Sequence, residues 1–136
     1  MLKTSKHILL IVMVFIGSTA FTGLDIRDDH PDINKAFSQG DAELLRTVMS
    51  SSVEIELPSE MEGIYSKAQT IVILNKFFAK NPPKSFDLNH SGQSASSSKF
   101  LVGKYLSTNG NEYRVTLFMK KSGDKYFIQE IELEQE

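Results

Sequence analysis

The clearest pattern of apolar and polar positions lies between Ile64 and Phe86. Ser66 and Gln69 have the spacing of a capping box, in which each side chain satisfies a backbone donor at the helix start. Two prolines directly after Asn81 end the pattern, because proline cannot supply the next backbone donor. We therefore predict a long helix whose buried stripe consists of the apolar residues at helical spacing, Ala68, Ile71, Val72, Leu74, Phe77 and Phe78.

Two shorter helices are predicted before this one. Pro31 suits the first position of a helix, and Gly40 suits its end. Asp41 can cap a second helix, which the serine run from Ser50 to Ser52 ends. The two would form a helical hairpin with apolar sides at Ile33, Ala36 and Phe37 and at Leu44, Leu45 and Val48.

Strict alternation from Val53 to Leu57 predicts a half-buried strand with Glu54 and Glu56 on its other face. These two carboxylates could form a catalytic pair or a solvated strand face. The solvated face is favoured, because nothing nearby in the sequence would separate their pKa values. Pro58–Gly63 is predicted to be a polar loop.

A second alternating run, Phe86, Leu88 and His90, predicts a strand after the long helix, with these three residues facing the core. The serine-rich stretch Ser91–Ser98 is predicted to be a loop.

Three further strands follow from Phe100 onward, and their turns set the register. Asn109-Gly110 is a preferred pair for a two-residue hairpin turn. A three-residue turn with a bulge is predicted at Gly123, because a two-residue turn would bring Glu130 and Glu132 inside. These turns predict a core face made of Phe100, Val102, Leu106, Tyr113, Val115, Leu117, Met119, Phe127, Gln129, Ile131 and Leu133.

This register has two functional consequences. Lys104 and Gln129 would lie on the apolar face near Tyr113, where a solidly packed core would not accept them. The opposite face would carry more apolar area than a solvated surface usually does. Its members would be Leu101, Tyr105, Thr116, Phe118, Tyr126 and Ile128.

The N-terminal residues and the net charge indicate where the protein is located and which partners are unlikely. A basic start, an apolar run of nine residues from Ile8 to Ile16 and small residues up to Ala20 predict a signal peptide over residues 1–20. The run is too short for a transmembrane anchor, which needs roughly twenty residues. Removal of Lys3 and Lys6 leaves 13 basic against 17 acidic residues, a net charge of −4, which argues against nucleic acid as a partner.

The chain has no cysteine, which excludes a disulfide framework and a thiolate metal site. Residues 21–136 suit one domain with one core. We expect this domain to be exported, periplasmic or secreted, and not to associate with the membrane once the signal is cleaved.

The segments GIYSKAQTIVILNKFFAKNPPKSF, GKYLSTNGNEYRVTLFMKKSGDKYFIQEIELE and AFSQGDAELL resemble a family of exported bacterial proteins of unknown function. The resemblance implies an α+β fold, the nuclear transport factor two-like or cystatin-like cone. In that cone a curved antiparallel sheet wraps around one long helix, after an N-terminal helical hairpin. The resemblance implies no established activity. Ketosteroid isomerases of similar fold use an early tyrosine, and this chain has no tyrosine before Tyr65.

Three functions are considered. The first is a noncatalytic domain that binds a small apolar molecule or a peptide, with Lys104, Gln129, Tyr113, His90 and Tyr65 in its pocket. The second is a homodimer that pairs through Leu101, Tyr105, Phe118, Tyr126 and Ile128. The third, and least favoured, is an isomerase or dehydratase with His90 as its base, since a lone histidine at a strand end is usually structural. No catalytic residue, metal site or cofactor is assigned.

Overall fold

The structure is a computed structural model that describes residues 30–58 and 61–136. The predicted signal peptide and the predicted start of the domain at residue 21 lie outside these residues. The described part contains two α-helices, one 3-10 helix and one six-stranded sheet. In chain order the elements are α1 (Pro31–Gln39), the 3-10 helix (Ala42–Val48), β1 (Met49–Glu56), β2 (Glu62–Ser66), α2 (Lys67–Lys80), β3 (Pro83–Ala95), β4 (Ser98–Ser107), β5 (Glu112–Ser122) and β6 (Lys125–Gln135).

The strands lie in the order β2-β1-β6-β5-β4-β3. From β3 to β6 they form the antiparallel meander that the sequence predicts. The last strand, β6, lies beside β1 and pairs with it in parallel. β2, which was predicted as the end of a polar loop and the lead-in to the long helix, pairs antiparallel with β1 at the sheet edge. The α+β cone prediction is confirmed, with a mixed sheet in place of a purely antiparallel one.

Helix α2 starts and ends where the sequence predicts. The Ser66 hydroxyl accepts a hydrogen bond from the Gln69 backbone N–H at 3.2 Å, and the Gln69 side chain accepts one from the Ser66 N–H at 3.1 Å. The predicted stripe is wrong at two positions, and the first is Ala68, which is exposed. Val72 is 54% exposed, and Ile73 is buried in its place. The buried face is Thr70, Ile71, Ile73, Leu74, Phe77 and Phe78.

The β4–β5 hairpin differs from the prediction by one residue. Ser107 donates its backbone N–H to the Asn111 carbonyl, so the turn holds three residues and Gly110 adopts a positive φ of 92°. Tyr105 therefore pairs with Tyr113. Because side chains alternate along a strand, this slip turns Leu101 and Tyr105 into the core and Lys104 outward. The predicted inward face of β5 is confirmed: Tyr113, Val115, Leu117 and Met119 are buried.

The β5–β6 turn is a two-residue turn, with Ser122 paired to Lys125, so the predicted three-residue turn is wrong. The two glutamates nevertheless stay outside. Met119 pairs with Ile128 while Phe118 pairs with Glu130, so β6 bulges at Gln129. The bulge buries Ile128, leaves Gln129 exposed and returns Ile131 and Leu133 to the core as predicted.

β3 is longer than predicted and includes most of the serine-rich stretch that was interpreted as a loop. Leu88 pairs with Gly103 and His90 with Val102, so β3 carries an extra residue, Asn89, at a bulge. Leu88 is buried, but the bulge turns His90 to the solvent side of the sheet. The prediction that His90 faces the core is therefore wrong.

The core lies between the helices and the concave face of the sheet. Its centre is aromatic: Phe37 stacks on Phe86 at 4.8 Å between ring centroids, and the Phe77 ring meets the Tyr113 ring edge-on at 5.0 Å. Tyr105 lies between Phe77 and Phe78. Within residues 30–58 and 61–136, neither helix has the length and apolar character that a membrane crossing requires.

Candidate functional site

A cavity of about 700 Å³ lies beside the second half of α2, at the end of the sheet where β1 and β6 finish and β5 begins. Its apolar wall includes Leu57, Met61, Ile73 and Phe77. Polar side chains, which orient the ligand in small-molecule sites, complete the wall. They come from Lys76, Lys80, Asn81, Tyr113 and Gln135.

An apolar groove of about 380 Å³ continues the cavity along the first half of α2. The two share Met61 and Ile73 as walls. The groove adds Tyr65, Ala68, Gln69 and Val72.

Asn81 fixes the polar end of the cavity. The Tyr113 hydroxyl donates to its side-chain oxygen at 2.9 Å, and the Asn109 amide donates to the same oxygen at 3.1 Å. The Tyr105 hydroxyl donates to the Asn81 backbone carbonyl. Burial raises the pKa of that Tyr105 hydroxyl, which keeps it protonated as a donor. The Tyr113 hydroxyl is thus held in place from the C-terminal end of α2.

The structure brings together only part of the predicted pocket. Tyr113 and Tyr65 line the cavity and its groove. Lys104 is 53% exposed on the opposite face of the sheet, with its ammonium 3.5 Å from Glu112. Gln129 and His90 are also exposed, each because of a bulge that the alternation pattern did not reveal.

The predicted dimer face is also corrected. Leu101, Tyr105 and Ile128 are buried in the core. Tyr126 packs against the core, with the Lys99 ammonium 4.3 Å from its ring centroid. Phe118 is 37% exposed and is the one member of the set on the outer face, the convex side of the sheet away from α2.

The outer face carries an acidic half on β1 and β6. Glu54 pairs with Glu130 and Glu56 with Glu132 as direct cross-strand neighbours. Repulsion from Glu132 raises the pKa of Glu56, while burial and then Glu54 raise the pKa of Glu130. The solvated-face interpretation of Glu54 and Glu56 agrees with this exposed position.

The other half of the outer face is aromatic. Phe100 lies opposite Phe118, with ring centroids 6.5 Å apart, and His90 lies beside Phe100 at 6.3 Å. Farther along the same two strands, Lys104 and Arg114 form another cross-strand pair on the outer face. Apolar and cationic side chains thus face solvent beside the glutamates.

A shallower and more polar depression of about 530 Å³ lies on the outer face near the Gln129 bulge, where Ser50–Ser52 and Glu54 form part of its wall. In the part of the chain that is described, no group of three or more His, Cys, Asp or Glu side chains is arranged to hold a metal ion.

The sequence analysis missed Asn81, Met61, Lys76 and Lys80 as residues of the site. Asn81 had a detectable signal: an amide at a helix end before two prolines is available to bond elsewhere. Lys76 and Lys80 lie on the side of α2 that lines the cavity. Only the packing of α2 in the fold reveals this position. Met61 had no signal, because it directly precedes β2, a strand that was not predicted.

Comparison with known proteins supports the fold. Residues 30–134 match the family described as "Domain of unknown function (DUF4783)". A DUF4783 protein from Bacteroides ovatus is 27% identical, with a TM-score of 0.71 over 78% of this chain and 94% of that one. One from Bacteroides uniformis is 22% identical, with a TM-score of 0.72 over 80% and 98%.

A domain of unknown function with a cystatin-like fold from Nostoc punctiforme is 8% identical, with a TM-score of 0.63 over 79% of this chain and 72% of that one. A search of curated proteins finds no match to the chain. The family match spans most of the chain, and the solved structures share its cone. The chain therefore belongs to the DUF4783 family, whose function is unknown and whose fold is the nuclear transport factor two-like, cystatin-like cone.

Proposed function

We propose that this protein is an exported, noncatalytic binding domain that takes a small apolar ligand into the cavity beside α2. The observation that carries the proposal is the make-up of the cavity: apolar walls, with one tyrosine hydroxyl held in place by Asn81 at 2.9 Å. A volume of about 700 Å³ falls in the range of small-molecule sites. The ligand would displace water from Leu57, Met61 and Ile73, which favours binding.

The side chains around the cavity argue against catalysis. Among the described residues of its wall, none is a carboxylate or an imidazole. Lys76, Lys80 and Tyr113 are its only titratable side chains, and Tyr113 already donates to Asn81. The described part of this wall therefore offers a bound substrate no carboxylate or imidazole as a general base. His90, the base considered from the sequence, lies on the outer face.

Binding of Nile red, a neutral apolar dye, tests the proposal. The parent protein should raise the dye's fluorescence, and the dye should raise the melting temperature. Ala79→Trp, which fills the cavity from α2, should weaken dye binding by about tenfold or more. Ser38→Trp, an equally exposed change on α1, is the control and should leave binding unchanged. Equal binding by both variants would exclude the cavity as the site.

Homodimer formation through the outer face is a second candidate, favoured by the Phe100–Phe118 pair on that face. A two-fold axis parallel to the strands, between β5 and β6, would place the glutamates of β1 and β6 over β4 and β5 of the other copy. Those strands carry the two phenylalanines, and their Lys104 and Arg114 are already paired with Glu112 and Glu134. An axis across the strands would oppose glutamates to glutamates, which is unfavourable.

A further inference from the structure

The side of α2 that faces the groove and cavity changes character along its length. Ala68 and Val72 line the apolar groove, and Lys76 and Lys80 line the cavity. These four residues follow one another at intervals of four, so they form one continuous row on the helix surface. The row covers roughly 18 Å along the axis. One end of this elongated site is therefore apolar, and the other is cationic.

The two lysines are available to bind an anion. Both are exposed, and neither forms an ion pair with another residue in the ranges 30–58 and 61–136. The described cavity wall contains no acidic side chain, although the chain as a whole is acidic. An anion placed here would gain two cationic partners, beside a surface that excludes water.

The shape of the site favours a single unbranched chain. The cavity and the groove share Met61 and Ile73 and follow one side of α2, so a ligand that fills both is elongated. Side chains form most of these walls, and the α2 backbone is bonded within its helix. A peptide would therefore find few backbone partners along this helix.

Building on the proposed function, we infer that the ligand is a single-chain amphiphile with an anionic head group. The alkyl tail lies along Ile73, Met61 and Val72, and the head lies between Lys76 and Lys80. The shared chemistry is an acyl chain that ends in a carboxylate or a phosphate. A free fatty acid and a lysophospholipid are the two sources of such a ligand.

Competition against Nile red tests the inference, with every amphiphile kept below its critical micelle concentration. Decanoate should displace the dye at a concentration about tenfold lower than decanol, because only decanoate carries the charge that the lysines bind. In the double variant Lys76→Gln/Lys80→Gln the two competitors should displace the dye at equal concentrations. Lys35→Gln, on α1, is the control and should keep the preference for decanoate.

The outcomes separate the two proposals. Equal competition by decanoate and decanol in the parent, or an unchanged preference in the double variant, would overturn the inference and leave the apolar site standing. No dye binding by the parent would contradict the proposed function itself. Tighter competition by decanoyl lysophosphatidic acid than by decanoate would support the inference and assign the head group as a phosphate.

Discussion

Asn81 is the residue on which both the end of α2 and the wall of the cavity depend. Its side-chain oxygen accepts from Tyr113 and Asn109, its amide donates to the Phe77 carbonyl, and its own carbonyl accepts from Tyr105. A single side chain and its peptide group thus connect the helix with β4, β5 and the turn between them.

Asn81→Ala should lower the free energy of unfolding by about 2 kcal/mol, because the Tyr113 hydroxyl, which is largely buried, would lose its acceptor. Tyr113→Phe alone should cost about 1 kcal/mol. Chemical denaturation of the single and double variants should show coupling between these two changes. Asn81→Ala and Tyr105→Phe should instead be nearly additive, because Tyr105 binds the backbone. Additive costs for Asn81 and Tyr113 would contradict the assigned bond.

The glutamates on β1 and β6 give stability a specific dependence on pH. The raised pKa of Glu56 means that its ionised form is disfavoured in the folded protein, chiefly by Glu132. The contribution of Glu56 to stability is therefore most favourable below the ordinary carboxyl value of 4.5 and is lost as pH rises through the raised value. Native glutamates on this face destabilise the protein at neutral pH.

Glu132→Gln should raise the melting temperature by a few degrees at neutral pH, and by less below the ordinary carboxyl pKa. Glu43→Gln is the control and should instead lower the melting temperature at neutral pH, because the bond to Arg46 lowers the pKa of Glu43. Thermal denaturation followed by circular dichroism measures both. A pH-independent gain for Glu132→Gln would contradict repulsion as the cause.

At the scale of elements, two glycines let aromatic rings lie flat on neighbouring strands. The Phe86 ring covers Gly103 on the core side, and the Phe100 ring covers Gly92 on the outer side. A Cβ at Gly103 would come within 2.7 Å of Phe86 and 3.1 Å of the Asp87 carbonyl oxygen. At Gly92 it would meet only the far edge of Phe100, at 2.5 Å.

Gly103→Ala should therefore cost about 1–3 kcal/mol of unfolding free energy, since Phe86 is stacked on Phe37 and cannot move away easily. Gly92→Ala should cost less than about 1 kcal/mol, because Phe100 can rotate towards solvent. Chemical denaturation compares the two variants directly. A larger loss for Gly92→Ala would mean that the outer face is as tightly packed as the core.

The elements also show what a sequence pattern can and cannot predict here. The capping box at Ser66 and the prolines after Asn81 act locally, so the long helix could be placed to the residue. The hairpin turn could not, because Asn109-Gly110 fits both a two-residue turn and the observed three-residue turn. Register then transmits this one-residue error along the whole of β4.

The bulges at Asn89 and Gln129 had a similar effect. A bulge reverses the alternation beyond it, and neither residue is of a type that signals one. His90 and Gln129 were consequently assigned to the wrong face. The predicted pocket kept Tyr113 and Tyr65, while the cationic residues of the site came from α2 instead of β4.

At the scale of the whole molecule, the fold was predictable because it follows from element order, which does not depend on register. The outer face is a whole-molecule property, because six strands assemble it. Its exposed Phe118 and the neighbouring Phe100 are the basis of the dimer proposal.

Phe118→Glu should convert a dimer to a monomer in light scattering and should leave the melting temperature of the monomer nearly unchanged, because Phe118 is 37% exposed. Val72→Glu, at a more exposed apolar residue on α2, is the control and should leave the dimer intact. A parent protein that is monomeric at high concentration would exclude this interface.

The central claim is that the cavity beside α2 is a binding site, and NMR titration of the labelled protein with Nile red tests it most directly. The largest amide shifts should fall on Leu57, Met61, Tyr113, Asn81 and the second half of α2 from Ile73 onward, which surround the cavity. Shifts concentrated instead on Phe100, Phe118 and their neighbours would place the apolar site on the outer face and contradict the account.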